Sequence, residues 1–329
     1  MKRHFKWVIG MLMLILGVTS CSSGDKTTDT IILAHSLPTS HPVHHALQFF
    51  ADEVGRLSSD QLYVKVYPNS QLGSEREVLE LVQIGSVGIT KVSAGAMANF
   101  TPKYRVLGIP YLFQDEDHAW EVLEGEIGQE ILDSGIEYML KGLTFYDAGT
   151  RSFYTKSKPI RSAEDVKGMK LRVMDDPLAV QMVRLLGGSA TPMSFGELYT
   201  ALQQGVVDGA ENNSPSVVSS NHFEVCQYYS LNRHTMLPDV LVIGTRVWNN
   251  LTEEQQGWVQ EAALTSLDEE KKLWNAAVEE DMKFLKEQGM EIIEPDIESF
   301  RQATEPLKEK LRDDKRIGDL IRRIEEISS

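Results

Sequence analysis

The chain has 329 residues, 42% of them hydrophobic, which is enough for one large or two medium cores. Its formal net charge is −15; residues 1–20 hold Lys2, Arg3 and Lys6 and no acid, so the chain beyond them carries −15 less 3, or −18. That sign excludes nucleic acid and acidic surfaces as natural partners, but not a small anion held by a cation in a dry cleft, where screening is weak.

Lys2, Arg3 and Lys6 followed by the mostly apolar run Trp7 to Val18 form an export signal. The run is shorter than the ~20 apolar residues of a membrane-spanning helix. Val18-Thr19-Ser20-Cys21 resembles a bacterial lipobox, which implies lipidation at Cys21. We therefore expect a signal peptide at 1–20, a lipid-tethered polar linker at 21–30, and a periplasmic or extracytoplasmic protein anchored to the membrane through its N-terminal lipid. Cys226, the other cysteine, then has no disulfide partner and reads as a small buried hydrophobe.

From Ile31 the pattern is α/β. Ile31 to His35 is an apolar strand. Ser40 and Pro42 open a helix with Val43, Ala46, Leu47, Phe50, Val54 and Leu57 at helical spacing. Leu62, Val64 and Val66 alternate in a second strand, closed by Pro68-Asn69-Ser70. Ser74 with Glu77 is a capping box for a helix ending at Gly85, and Val87 to Val92 is a third strand. The β-α-β-α-β order predicts a parallel sheet flanked by helices, with ligands beyond the carboxyl ends of its strands, where His35 and Ser93 lie.

Leu143 to Tyr146 reads as a strand leading into Gly149-Thr150-Arg151, where the chain crosses to a second unit. There the strand Met169 to Met174 carries Arg172, and Asp175-Asp176-Pro177 starts a helix that Gly187-Gly188 ends. An arginine in such a strand is costly unless an anion meets it, whether a structural Asp or Glu or the carboxylate of a ligand. The guanidinium fork suits a carboxylate, and we read Arg172 as the anchor for a small organic acid. Ser194, Glu197 and Gly205 repeat the offsets of Ser74, Glu77 and Gly85. The strand Val206 to Ala210 follows, with polar Asn212 near its end as Ser93 is near the other. Two similar units predict two lobes with facing strand ends and a ligand site between them. Leu237 to Ile243 brings the chain back.

Thr252 with Gln255 caps a helix that continues to about Lys286, with Gly289 as the stop. Some 35 residues at ~1.5 Å each span ~50 Å, against ~30 Å for one lobe. The helix therefore packs on both lobes, or breaks once near Asp268 to Lys272. The charged tail Ile297 to Ile327 reads as a helical, solvated cover on one lobe. The expected boundaries are 31–148 plus 238–277 for the first lobe and 149–237 plus 278–329 for the second.

Four segments now carry a family resemblance. The run Phe195-Gly196-Glu197-Leu198-Tyr199 through Gly205-Val206-Val207-Asp208-Gly209 is similar to the signature of TRAP (tripartite ATP-independent periplasmic) transporter solute-binding proteins, the DctP family. So are Gln71-Leu72-Gly73-Ser74-Glu75-Arg76, Leu107-Gly108-Ile109-Pro110-Tyr111-Leu112-Phe113 and the Arg172 strand, in the family's order. The resemblance implies two α/β lobes joined by a hinge, a long helix spanning both, an organic acid in the cleft, no cofactor, and delivery to the membrane permease. It implies that Arg172 is the principal carboxylate-binding arginine and Arg151 a second, that Asn212 after Glu211 is the cleft asparagine, and that Phe195 packs on the ligand. By position, His35, Glu75 and Ser93 face the ligand from the first lobe, joined by Asp239. Read without the resemblance, Asn212 is equally a turn residue, Phe195 a core ring and Glu75 a first-turn acid on a helix dipole. The chain departs from the family pattern at Asn213, where proline is common, and at Lys91, which we expect at the surface. Two unpaired arginines in one cleft would repel, so the cleft is expected to hold an anion or water. The mixed-sign set Glu75, His35, Ser93 and Asp239 favours a sugar acid such as a uronate. A C4-dicarboxylate is the alternative and needs a second cationic pocket.

His41, His44 and His45 lack an acid or cysteine at ligand spacing and read as a solvated helix start with no metal. No nucleophile elbow, zinc helix, phosphate loop or dinucleotide fingerprint is present, so no enzyme is expected. A periplasmic lyase acting on the same acids would need a base, for which His35 is the candidate. A non-transport receptor is the remaining alternative.

Overall fold

A computed structural model describes residues 29–327; the export signal and the Cys21 lipidation site lie outside the described residues. Among the described residues eleven strands form two sheets: β1 (Asp29–Ala34), β2 (Leu62–Tyr67), β3 (Ile89–Ser93), β4 (Leu140–Tyr146), β5 (Thr150–Thr155), β6 (Lys170–Val173), β7 (Ser189–Pro192), β8 (Gly209–Asn212), β9 (Tyr228–Met236), β10 (Asp239–Gly244) and β11 (Glu291–Ile293). The first sheet has the order β2-β1-β3-β10-β4 and the second β11-β9-β5-β8-β6-β7. In the first, β1 runs parallel to β2 and β3, while β10 is antiparallel to β3 and β4. In the second, β6 runs parallel to β7 and β8, while β5 is antiparallel to β8 and β9. Each lobe is thus a parallel α/β unit with one antiparallel strand inserted beside its ligand-facing strand. Both inserted strands, β5 and β10, come straight off a short crossing between lobes, so the hinge leads directly into the two sheet centres.

The local signals hold. Both repeated helices carry reciprocal capping boxes, Ser74 with Glu77 and Ser194 with Glu197, and both end on glycine in the left-handed region (Gly85 φ 81°, Gly205 φ 71°). The exits close in the same way, with Ser86 N–H donating to Leu81 O and Val206 N–H to Ala201 O. This closure uses up Val206, so the strand expected at Val206 to Ala210 begins at Gly209 instead. The shift places Glu211 and Asn212 inside the sheet.

The long helix Glu253–Glu287 is continuous, with the Thr252–Gln255 capping box in place. Val259, Ala262, Ala263 and Leu267 are buried in the first lobe and Leu285 in the second. The helix does not break at Asp268 to Lys272, because that run is not uniformly solvated. Glu270 turns inward, fully buried, and accepts the Asp147 N–H at the first crossing (2.9 Å), while Lys271 turns outward to Glu124 (2.6 Å). Among the described residues no helix is long and apolar enough to cross a membrane.

The tail is not a cover on one lobe. Helix Ile297–Arg312 buries Phe300 in the second lobe, and helix Gly318–Glu326 buries Leu320, Ile321 and Ile324 in the first. His118 accepts the Gln114 N–H on Nδ1, so its Nε2–H donates to Ile324 O (3.0 Å), and Arg323 pairs with Glu130 (2.6 Å). The apolar spacing 317, 320, 321, 324 gives a narrow stripe on an otherwise charged helix, and the first lobe supplies its partner. Because Ile321 is core, Ile321→Ala should cost about 2–5 kcal/mol. The urea midpoint of unfolding reads this; a change as small as that of a surface substitution, under about 0.5 kcal/mol, would return the tail to the surface.

Candidate functional site

Ser93 and Asn212 are the last residues of β3 and β8. Between these strand ends lies a cavity of about 360 Å³ between the lobes. Seven of the eight side chains chosen from the sequence line it: Arg172, Arg151, Asn212, Phe195, Glu75, Ser93 and Asp239. His35 does not.

Arg172 is 2% exposed. Its Nε and Nη2 donate to Met193 O (3.1 and 2.8 Å), which aims the guanidinium along the start of the next helix. Its Nη1 is buried with no hydrogen-bond partner. Burial pulls the group below the usual guanidinium range, with Glu211 pulling the other way. An arginine stays charged regardless. The Phe195 ring sits 5.9 Å from the guanidinium carbon.

Arg151 behaves differently, and the expected pair of free cations is corrected. Glu211 clasps Arg151 from Oε2 to Nε and from Oε1 to Nη2 (3.0 Å), and Glu211 O accepts from Nη2 (2.9 Å). Burial pushes Glu211 up, but Arg151 and then His234 outweigh it and hold the carboxyl at about 2. The remaining Arg151 Nη1 donates to Asn212 Oδ1 (2.8 Å), which also accepts the Asn213 N–H (3.0 Å). Two donors on that oxygen fix the amide orientation and leave the Asn212 NH₂ for the cavity. Asn213, in place of a proline, caps the helix Ser214–Ser219 and donates to Ala148 O in the crossing (3.0 Å).

On the first lobe the expectation for Lys91 is reversed. Lys91 is 2% exposed, with Nζ 2.8 Å from Asp239 and 3.7 Å from Glu75. Glu75 also accepts the Ser93 N–H (3.2 Å), and burial pushes its carboxyl upward against the pull of Lys91. The reason is register: β10 lies beside β3 with Asp239 opposite Ser93, so an acid far off in the chain meets the lysine.

The histidines also depart from the solvated reading. His35 Nδ1 accepts the Leu37 N–H (3.2 Å), so its Nε2–H donates to His44 Nδ1 (3.0 Å), behind the cavity wall. Burial lowers it to about 3, which leaves it neutral, and it does not line the cavity. His41 is buried; its Nδ1 caps the first helix at Val43 N–H (3.2 Å) and its Nε2–H donates to Ser216 Oγ of the other lobe (3.3 Å). His44 is buried and His45 exposed. His41, Lys91, Asn213 and Ser216 all line the cavity without having been selected from the sequence. For His41 a signal was there, since it stands immediately before the helix-opening Pro42. At the mouth, Arg76 pairs with Asp175 across the lobes (3.1 Å) and Asn99 donates to Asp175 O, so the lobes are closed on each other.

Two hinged α/β lobes closed around a polar cavity define a solute-binding protein. Residues 33–314 match the DctP family, bacterial extracellular solute-binding protein, family 7, and the chain belongs to this family of TRAP transporter solute receptors. It is 37% identical over 299 residues to the uncharacterised protein YiiZ of Salmonella typhimurium, covering 90% of this chain and 91% of that one. It is similar to the TRAP periplasmic solute-binding protein of Xanthobacter autotrophicus Py2 with bound β-D-galacturonate (TM-score 0.88, 38% identity, 91% of this chain and 100% of that one). The same holds for that of Pseudomonas putida F1 with bound D-glucuronate (TM-score 0.88, 39% identity, 91% and 98%). The chain is a binding protein, not an enzyme.

Removing the Lys91 charge strands two acids in the cavity wall. Lys91→Met should cost about 3–5 kcal/mol at pH 7. Burial already pushes the Glu75 carboxyl upward and Lys91 is what opposes it, so without the cation the lost stability returns as pH falls and Glu75 protonates. Thermal unfolding of the variant against wild type from pH 7 to 4.5 reads this; a deficit that stays constant with pH would mean the lysine is not what holds the acids.

Proposed function

We propose that this receptor captures a hexuronate or closely related sugar acid. The observation that carries the reading is the distribution of spare charge. One end of the cavity has a buried guanidinium with an unfilled N–H, and the other has a lysine already shared between two carboxylates. One carboxylate docks at Arg172, assisted by the Asn212 NH₂. Arg151 supports this indirectly by holding Asn212. Phe195 covers the sugar ring, and Glu75, Asp239 and Ser93 take its hydroxyls. A C4-dicarboxylate would press its second charge against Asp239 and Glu75. The volume sits at the small end of ligand pockets and suits a monosaccharide. Relatives with bound galacturonate and glucuronate support the same class. The closed form is favoured by whatever the acid binds better closed than open, and it is the form presented to the permease. Lipidation at Cys21 tethers the receptor to the membrane.

Thermal shift on protein stripped of co-purified solute tests the reading. D-glucuronate and D-galacturonate should raise Tm, and succinate should not; the reverse pattern ends the sugar-acid proposal. Arg172→Ala loses charge-assisted hydrogen bonds worth about 2–5 kcal/mol, so affinity should fall at least ~30-fold by calorimetry. Unchanged affinity would remove Arg172 as the anchor.

A further inference from the structure

Outside the cavity the second lobe is seated on the first at one corner, the start of helix Pro177–Leu185. Asp176 caps this helix, its Oδ1 accepting the Leu178 N–H at 2.8 Å, and among the described residues no side chain pairs with it. The corner presses into the first lobe. A Cβ on Gly95 would lie 3.1 Å from Asp176 Oδ2 and 2.7 Å from Met174 Sδ, and one on Gly108 would lie 3.2 Å from the same Asp176 oxygen. Leu178, two residues on, belongs to the first lobe's core. The two glycines leave the space the carboxyl occupies, and with the lobes closed it is 3% exposed.

The groups around it supply no spare cation. Arg151 is spent on Glu211, which also holds His234 at 3.5 Å. On the facing side, Ala94–Met97 carries no ionisable residue. In Pro102–Gly108, Lys103 turns to Glu130 and Arg105 to Ala98 O. Asp175 and Arg76 pair with each other at the exposed mouth. A carboxylate closed into this corner has lost water and gained only backbone donors, and its protonated form is the one the corner accommodates.

We infer that lobe closure takes up a proton at Asp176, so that the receptor captures its solute and a proton together; this rests on the solute-receptor reading above. Burial holds the Asp176 carboxyl at about 7 in the closed form, against 3.8 for an ordinary aspartate. A group raised in the closed state favours closure below its closed value. Affinity should therefore be flat above about pH 8 and rise by up to about tenfold per pH unit from pH 7 to 5. An organic acid's own carboxyl stays ionised over this range.

Calorimetry of D-glucuronate binding in buffers of different ionisation enthalpy counts the protons. Wild type should take up about half a proton per solute at pH 7, and Asp176→Asn none, because asparagine caps helices as well but carries no charge. The variant should also lose the pH slope and bind at least as tightly as wild type at pH 8. Gly95→Ala, whose methyl would press on Asp176 and on Met174 of the cavity wall, should weaken binding and reduce the uptake. Binding by wild type with no proton uptake would overturn the inference and leave the solute reading intact. Uptake that persists in Asp176→Asn would overturn it too, and would point to Asp147 in the first crossing, which burial raises to about 6. Failure to bind any sugar acid at any pH would defeat the solute reading, and this inference with it.

Discussion

The structure depends on one buried guanidinium that it does not satisfy. Arg172 gives two of its N–H donors, from Nε and Nη2, to a single carbonyl, and among the described residues Nη1 has no partner. Taking a charge out of water costs several kcal/mol unless an anion meets it. When the lobes part, water supplies that partner. When they close, only a solute can. On the proposed reading, the empty closed form is penalised at the point where the filled one is completed, and a passive cleft becomes a solute-dependent switch.

The other charges of the cleft are arranged so as not to compete for that solute. Glu211 neutralises Arg151 and turns it into a brace for Asn212. Asp239 and Glu75 neutralise Lys91 and, on the proposed reading, become acceptors for hydroxyls. Among the described residues the wall is therefore rich in ions but has one free cation to offer, and the proposed preference for one carboxylate with a polar ring rests on this pairing rather than on net charge.

The hinge is bound into the same network. Asn213 ties the end of β8 to the first crossing, Glu270 on the long helix holds that crossing from the other side, and His41 reaches Ser216 across the lobes. The tail adds a further passage, anchored by Phe300 in one lobe and Ile321 in the other. Motion between lobes must bend all of these together, so closure is a change between discrete packings.

How much of this could be read from the chain divides by range. The capping boxes at Ser74, Ser194 and Thr252, the glycine stops, the alternating strands and the duplicated unit are local, and hydrogen bonds within a few residues enforce them, so the sequence determined them unaided. It also marked Arg172, because a cation in an apolar strand needs explaining wherever it sits. It did not determine which charges were already spent. Lys91 looked like a surface residue because Asp239 is far away in the chain, Arg151 looked free because its partner Glu211 emerged only when the strand began three residues late, and His41 looked solvated because Ser216 meets it only across the lobes. Only the tertiary structure decided these, because whether a buried charge is a binding group or a structural one depends on which distant side chain the sheet register sets within about 3 Å of it.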